Sequence, residues 1–264
     1  MQDLSVTLVQ TETVWHDPGA NLLNIEALLG SPSASKTDVI VLPEMFTTGF
    51  TMSSSEIAET MQGETIKWMT RIAAKYNAAL CGSIVIKEDA NYYNRFIWAA
   101  PDGAVLYYDK RHLFRMANEH NYYTSGSENL TIEFRGWKIR PAVCYDLRFP
   151  VWARNKMEHS EFEYDLLIYV ANWPEARITA WDTLLKARAI ENHAYCVGVN
   201  RTGSDSNGVE YNGHSAACDP KGNTLLPEST EVCVKTCVLE YDSLQHYRNQ
   251  FPAQLDADNF KIID

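Results

Sequence analysis

Short apolar runs recur along the whole chain, and this recurrence constrains the fold more than any other feature. The run from Leu4 to Val9 alternates apolar and polar residues, as a half-buried strand does. The continuous apolar run from Leu166 to Ala171 is typical of a strand buried on both faces. Helical patterns separate many of these runs, which favours an α/β fold with sheets inside and helices outside.

Turn signals and amphipathic spacing locate the individual elements. Residues 95–100 and 104–108 flank Pro101-Asp102-Gly103, which predicts a hairpin. The further predicted strands are residues 38–42, 79–86, 139–144, 165–171, 195–200, 214–219, 223–226 and 232–239. The predicted helices are residues 21–29, 63–76, 148–157 and 177–193, and residues 31–35 and 53–55 are predicted short loops. Two sheets packed face to face, each covered by helices, would bury this many apolar strands.

Length and composition limit the other possibilities. The 264 residues contain no tandem repeat or Pro/Gly/Ser-rich linker, so we expect one domain over residues 1–264. A net charge of −11 argues against nucleic acid or an anionic membrane as a partner. No apolar run approaches the roughly 20 residues of a spanning helix, and the start Met1-Gln2-Asp3-Leu4 does not resemble a secretion signal. These features predict a cytoplasmic protein.

Cysteine and histidine usage does not indicate a metal or a disulfide framework. The six cysteines lie mostly in apolar runs, where a free thiol behaves as a small hydrophobic group. The seven histidines are scattered and no CxxC pair is present, so no metal site is predicted. There is no Walker loop, GxGxxG or GxSxG motif, and no cofactor is expected.

Two polar segments follow strand-like runs at positions suited to chemistry. Glu44 comes directly after the apolar run from Val39 to Leu42, where a carboxylate at the rim of the core can act as a general base. Lys110 lies in the dense polar cluster from Tyr107 to Phe114 and could stabilise an oxyanion. His112 in the same cluster is interpreted as structural. Taken alone, each segment could also be an ordinary charged loop.

The third segment places Cys144 at the end of a buried strand. A helix predicted to start a few residues later would force a sharp turn that exposes the sulfur and lowers the pKa of its thiol. The same turn would offer the backbone N–H of Tyr145 to a tetrahedral intermediate. The alternative is one more buried structural cysteine.

Taken together, these segments resemble the nitrilase superfamily of carbon–nitrogen hydrolases. The matching motifs are Leu42-Pro43-Glu44, Tyr108-Asp109-Lys110-Arg111-His112-Leu113 and Cys144-Tyr145-Asp146-Leu147-Arg148-Phe149-Pro150, in the family's order. The resemblance implies a four-layer αββα sandwich, a Glu44-Lys110-Cys144 triad and a second glutamate at Glu119. It also implies a homodimer that pairs through helices beside the active site.

Within the superfamily, several segments resemble the bacterial omega-amidase branch. They are residues 108–119, 144–155, 169–174 and 187–203. The implied reaction is hydrolysis of the distal amide of 2-oxoglutaramate or 2-oxosuccinamate through a thioester on Cys144, with no metal or organic cofactor.

A substrate of this kind carries a carboxylate. The guanidinium group of an arginine can bind a carboxylate through two parallel hydrogen bonds. Arg148 is our first choice, and Trp173 is expected to form a wall of the pocket. Arg115, Arg177 and Arg201 are the other candidates. Three alternatives stay open: another amidase or nitrilase of the superfamily, a catalytically inactive binding protein with the same fold, and a redox sensor that uses Cys144.

Overall fold

The computed structural model describes residues 2–30, 37–158 and 161–262. Its strands are β1 (Leu4–Gln10), β2 (Val39–Val41), β3 (Ala79–Glu88), β4 (Asn91–Ala99), β5 (Val105–Asp109), β6 (Ile132–Phe134), β7 (Trp137–Val143), β8 (Met157–Glu158), β9 (Glu161–Phe162), β10 (Leu166–Val170), β11 (Tyr195–Val199), β12 (Thr202–Ser204), β13 (Glu210–Asn212), β14 (Ala216–Cys218) and β15 (Cys233–Leu239). Its α-helices are α1 (Pro18–Leu29), α2 (Ser54–Ile57), α3 (Glu64–Tyr76), α4 (Ile178–Asn192) and α5 (Tyr241–Gln250).

Two mixed sheets form the centre of the molecule. The first has the strand order β15-β1-β2-β3-β4-β5, with β1, β2 and β3 parallel and the remaining pairs antiparallel. The second has the order β14-β11-β10-β7-β6, with β7, β10 and β11 parallel and antiparallel strands at both edges. The short pairs β8–β9 and β12–β13 lie outside these sheets.

The pleat of each strand divides its side chains between two cores. In β2, Val39 and Val41 pack into the core between the sheets, whereas Ile40 faces the core under the helices. In β10, Ile168 packs between the sheets and Leu167 faces outward to the helix layer. Because both faces of these strands are buried, the sequence there is continuously apolar rather than alternating.

Helices cover the outer face of each sheet. Ile25 of α1 and Ile72 of α3 pack on the first sheet, and Trp181 and Leu185 of α4 pack on the second. The order of layers is therefore helix, sheet, sheet, helix, which confirms the predicted αββα sandwich. Among the described residues, no helix combines the length and the apolar character needed to cross a bilayer.

Local signals fix the helix ends. Asp17 caps α1 by accepting a hydrogen bond from the Ala20 backbone at 2.9 Å, and Pro18 occupies the first turn. Asn77 and His193 end α3 and α4 in the left-handed conformation, with φ of 47° and 48°. The predicted helices at 21–29, 63–76 and 177–193 are therefore confirmed to within a few residues.

The helix predicted at residues 148–157 is wrong. A 3₁₀ helix spans Cys144–Arg148 instead, and the chain then runs irregularly to β8. Pro150 explains the break, because it lacks an N–H and disfavours helical geometry at Phe149. Asn155 fixes the irregular segment by donating from its side chain to the carbonyls of Tyr164 and Asn192.

Other local predictions also need correction. Residues 223–226 form no strand, because the Asp219 carboxylate holds a tight turn by accepting the backbone N–H groups of Lys221 and Asn223, and only Thr224 makes a bridge. The loop predicted at 53–55 belongs partly to α2. The loop predicted at 31–35 lies outside the described residues. The sequence does not predict strands β6, β8, β9, β12 and β13, since each has only two or three residues and contains a polar one.

The carboxyl ends of strands from both sheets meet at one edge of the sandwich. Glu44 follows β2, Lys110 follows β5, Cys144 follows β7 and Asn172 follows β10. Parallel strands place their carboxyl ends together, and such an edge is where layered α/β proteins build their sites.

Candidate active site

A fully buried cluster of charged side chains lies at this edge. The Lys110 ammonium is 2.9 Å from Glu44 Oε1 and 3.0 Å from both carboxylate oxygens of Glu119. Glu44 and Glu119 are 0% exposed and Lys110 is 1% exposed. The structure thus brings Glu44 together with Lys110, which lies 66 positions further along the chain, and Glu44 is more deeply buried than the rim position predicted for it.

Backbone groups hold both carboxylates in place. Glu44 Oε2 accepts the backbone N–H of Asn172 at 2.8 Å, and the Glu44 carbonyl accepts the Asn172 side-chain amide at 2.6 Å. Glu119 Oε2 accepts the backbone N–H of Phe114 at 2.5 Å. Each carboxyl group is therefore oriented by a backbone N–H, as a buried polar group requires.

The protonation equilibria follow from burial and from these neighbours. Burial disfavours the charged form of Lys110, but the carboxylates of Glu119 and Glu44 outweigh it, so the pKa of Lys110 lies above its ordinary range. Burial raises the pKa of Glu119, Lys110 opposes the rise and Glu44 adds to it. Lys110 is therefore an ammonium at neutral pH.

Cys144 sits in a strained turn directly after β7. Its φ is 46°, in the left-handed region that a non-glycine residue adopts only under constraint. Its sulfur lies 3.9 Å from the Asn172 carbonyl oxygen, and the residue is only partly buried because it lines a cavity. The predicted sharp turn is therefore present, although a 3₁₀ helix beginning at Cys144 produces it.

The predicted lowering of the Cys144 pKa is wrong. Burial, followed by the charge of the Glu44 carboxylate, raises the pKa of the thiol well above its ordinary value, and Lys110 offsets this only in part. No long helix begins at Cys144 to supply a stabilising dipole. Cys144 is consequently a neutral thiol at rest, and a nucleophilic sulfur requires a base beside it.

Asp146 locks the turn that carries Cys144. Its buried carboxylate accepts the backbone N–H of Val143 at 2.9 Å and the hydroxyl of Tyr108 at 2.8 Å. It also accepts the backbone N–H of His112 at 2.9 Å and lies 2.8 Å from the ring nitrogen Nδ1 of the same residue. This one carboxylate joins the segment before Cys144 to the segment that carries Lys110, which agrees with the structural interpretation of His112.

A cavity of about 990 Å³ opens onto the buried cluster. Glu44, Lys110 and Cys144 line its base, and Tyr145, Trp173 and Tyr211 contribute to its walls. The expected wall position of Trp173 is met: its backbone N–H donates to Asn200 Oδ1 at 2.7 Å, and its indole N–H donates to the Arg177 carbonyl at 2.9 Å.

The four candidate arginines separate into two pairs. Arg148 and Arg177 line the cavity, where their guanidinium groups lie 5.0 Å from the ring of Trp173 and 5.4 Å from that of Phe114. Neither forms an ion pair with any carboxylate of the described residues.

The other two arginines lie away from the cavity. Arg115 is exposed and does not line it. Arg201 is buried and donates to the backbone carbonyls of Thr202, Thr13 and Ser204.

Sequence reasoning missed two amide side chains of the site. Asn172 orients Glu44, as described above, and Asn94 of β4 donates to Glu44 Oε1 at 2.7 Å. A signal for Asn94 was available, because asparagine is depleted in strands and this one lies inside an otherwise strand-like run. Asn172 follows the β10 run directly, as Glu44 follows β2.

The αββα sandwich and a cysteine beside a buried Glu-Lys-Glu cluster define a class of thiol-dependent hydrolases. The family model described as carbon-nitrogen hydrolase matches residues 5–244 of this chain. The chain therefore belongs to the carbon-nitrogen hydrolase family, which confirms the resemblance read from the sequence.

Individual proteins are similar to this chain over nearly its whole length. The chain is 47% identical to the omega-amidase YafV of Yersinia enterocolitica over 264 residues, which cover 100% of both chains. It is 31% identical to the 2-oxoglutaramate amidase of Bacillus subtilis over 251 residues, 94% of this chain and 95% of that one. A solved CN-hydrolase superfamily protein from Xanthomonas campestris, with an arsenic adduct in its active site, superposes with a TM-score of 0.97 at 45% identity, covering 99% of this chain and 100% of the other.

Proposed function

We propose that this protein is an omega-amidase that hydrolyses the distal carboxamide of 2-oxo acid monoamides such as 2-oxoglutaramate and 2-oxosuccinamate. One observation carries the proposal: the cavity has Cys144, Glu44 and Lys110 at its base, with Glu119 behind Lys110, and two arginines that lack a carboxylate partner among the described residues. The first set suits amide cleavage, and the second suits the free carboxylate of the substrate.

The reaction begins with the neutral thiol. Glu44 accepts the proton of Cys144 as the sulfur attacks the carboxamide carbon. Lys110 and the backbone N–H of Tyr145 stabilise the resulting oxyanion. The carbon–nitrogen bond then breaks, Glu44 returns its proton to the leaving nitrogen, and ammonia departs from a thioester on Cys144.

Water completes the cycle. Glu44 removes a proton from a water molecule, which attacks the thioester carbon, and the carbon–sulfur bond breaks. The thiolate of Cys144 recovers the proton, and the dicarboxylate leaves. One base serves both halves because each proton it takes is returned in the following step. Glu119 holds the Lys110 ammonium at 3.0 Å and keeps it charged throughout.

Charge, rather than size, selects the substrate in this proposal. A cavity of about 990 Å³ exceeds what a five-carbon acid requires, so a close fit of shape does not decide binding. Arg148 and Arg177 approach the cavity from two different segments, and the guanidinium carbon of each lies within 5.4 Å of the centre of an aromatic ring. We assign the carboxylate of the substrate to these two residues, with Trp173 as the apolar wall between them and the nucleophile.

The proposal extends to assembly and location. Val151 and Ile190, on the segment after Cys144 and on α4, are 56% and 47% exposed, which suits a homodimer that pairs beside the active site. Light scattering is expected to give twice the mass of one chain. A cytoplasmic location is part of the proposal, and fractionation of cells tests it.

Ammonia release from 2-oxoglutaramate tests the function. Wild-type protein is expected to release ammonia rapidly, and Cys144→Ala is expected to release none above background. Glutamine, asparagine and an aliphatic nitrile serve as comparison compounds under the same conditions. Cysteine-dependent turnover of one of these, without turnover of the oxo acid, would retain the mechanism and discard the substrate. No turnover of any compound would favour an inactive binding protein.

A further inference from the structure

We propose that Asn94 is a positioning residue of the active site, whose side-chain amide holds the two buried carboxylates, Glu44 and Glu119, at one lysine. Asn94 contacts neither the cavity nor the nucleophile, so its role is exerted through the charged cluster. The proposal rests on the function assigned to Glu44 above, and no motif of the sequence pointed to it.

Asn94 contacts all three members of the buried cluster. Its amide nitrogen is 2.7 Å from Glu44 Oε1 and 3.4 Å from Glu119 Oε1, and its backbone carbonyl accepts the Lys110 N–H at 3.0 Å. The side chain is 0% exposed. The amide orientation is not ambiguous, because a flipped oxygen would face two carboxylates that can only accept.

The cluster needs this second donor for a physical reason. Two carboxylates share one ammonium, so their mutual repulsion favours the uptake of a proton by one of them. An amide NH₂ offers two hydrogens, and the Asn94 nitrogen lies 2.7 Å from Glu44 Oε1 and 3.4 Å from Glu119 Oε1, so one group can serve both carboxylates. Together with Lys110 it supplies hydrogen-bond donors to both carboxylates, which holds Glu44 in place beside Cys144.

Strand pairing holds Asn94 in position. Its neighbour Arg95 donates to both carboxylate oxygens of Asp109 at 2.7 and 2.9 Å, which fixes the pairing of β4 with β5. Lys110 directly follows Asp109, so the same pairing sets the distance between the amide and the ammonium. Asn94 is therefore placed by the sheet rather than by the cluster that it serves.

Further titratable side chains lie near the carboxylates of Glu44 and Glu119. Cys144 lies against Glu44, and Tyr123 and Tyr211 lie close enough to interact with the cluster. Burial raises the pKa of all three, so they are neutral at neutral pH. Removal of the Asn94 amide takes away a hydrogen-bond donor to both carboxylates, so the acidic limb of the activity is expected to move to higher pH.

The test measures pH profiles of Asn94→Ala and Asn94→Ser, whose hydroxyl is one bond shorter than the amide. The acidic limb of kcat is expected to move up by about one pH unit, since the base is active only when ionised. KM is expected to stay within about threefold, because the substrate does not touch Asn94. An acidic limb identical to that of the wild type in both variants would overturn the proposal, whatever the loss of rate.

A second measurement is independent of the substrate. The rate of Cys144 alkylation by iodoacetamide, corrected with Cys144→Ala, is expected to show the same shift of its acidic limb in the Asn94 variants. A shift in alkylation without turnover of 2-oxoglutaramate would support the role of Asn94 while the proposed substrate fails. Alkylation profiles that match the wild type would overturn the role.

Asn155→Ala is the matched control. Asn155 is equally buried, and its amide donates to the Tyr164 and Asn192 carbonyls at 2.8 and 3.0 Å, away from any carboxylate of the cluster. This variant is expected to lose stability and keep the wild-type pH profile. A shift of its acidic limb equal to that of Asn94→Ala would show a general effect of destabilisation and overturn the proposal.

Discussion

The base and the wall of the cavity both carry charged side chains, but their charges differ in burial and in pairing. At the base, Glu44, Lys110 and Glu119 are fully buried and every charge has a partner within 3.0 Å. On the wall, Arg148 and Arg177 are partly or fully exposed and contact aromatic rings instead of carboxylates. Charges at the base are fixed before the substrate arrives, whereas those on the wall are left for the substrate to pair.

Solvation explains the difference. A charge removed from water needs a close counter-charge and further hydrogen bonds, or it costs several kcal/mol. A guanidinium that keeps contact with water bears no such cost and can remain unpaired while its plane stacks on a ring. The comparison shows that charges which are paired with one another are buried at the base, whereas charges without a protein partner keep contact with water on the wall.

Loss of the lysine is expected to have the largest effect. Lys110→Met leaves two buried carboxylates without a cation, so the free energy of unfolding should fall by about 3–5 kcal/mol and turnover should vanish. Urea denaturation and ammonia release measure the two effects. The double variant Lys110→Met/Glu119→Gln should recover much of the stability and none of the activity. Wild-type stability of the single variant would contradict the charged cluster.

Removal of the proposed general base, Glu44, is expected to act mainly on kcat. Glu44→Gln keeps an oxygen for the Asn172 N–H but turns its NH₂ toward Asn94 and Lys110, so some stability is lost while kcat falls by about 10²–10⁴-fold. Steady-state kinetics on 2-oxoglutaramate check this, and Glu175→Gln, an exposed acid on the rim of the cavity, is the control with little change expected. A variant with normal kcat would assign the base to another residue.

The two arginines on the cavity wall are expected to contribute to substrate binding. Arg148→Ala and Arg177→Ala should each raise KM by roughly 10–100-fold, the value of a charged hydrogen bond of about 1.5–3 kcal/mol, with kcat nearly unchanged. Arg115→Ala, which alters an arginine outside the cavity, should match the wild type. An aliphatic amide without a carboxylate should be insensitive to all three changes. A fall in kcat at constant KM would indicate that these two arginines take part in the chemical step.

Salt is expected to have the smallest effect and to separate the two regions without mutation. Raising ionic strength from about 0.01 to 1 M shortens the screening length from about 30 to 3 Å, which weakens attraction to exposed charges. KM should rise by about two- to threefold. The value of kcat should stay constant, because the charged cluster at the base of the cavity is shielded from solvent. A salt-dependent kcat at constant KM would indicate that the buried cluster is open to ions.

Much of this molecule was predictable because its signals are local. Continuous apolar runs identified the strands of both sheets, and a polar residue after a run identified Glu44, Lys110 and Cys144. The predictions that failed depended on a single residue against the pattern, such as Pro150 in a stretch that otherwise looks helical. Short strands that contain polar residues were missed, whereas β2 and β14, which are equally short, were found because they are wholly apolar.

The sequence by itself determined the layers of the sandwich, the strand ends that carry Glu44, Lys110 and Cys144, and the family. Only the tertiary structure decided that Asn94 contacts residues 50 and 25 positions away, that Asp146 ties two segments together, and that two of four arginines line the cavity. It also decided the direction of the Cys144 pKa, which the sequence had predicted with the wrong sign. The physical reason is that burial and through-space charge are produced by packing between distant segments, whereas strand and turn propensities are properties of neighbouring residues.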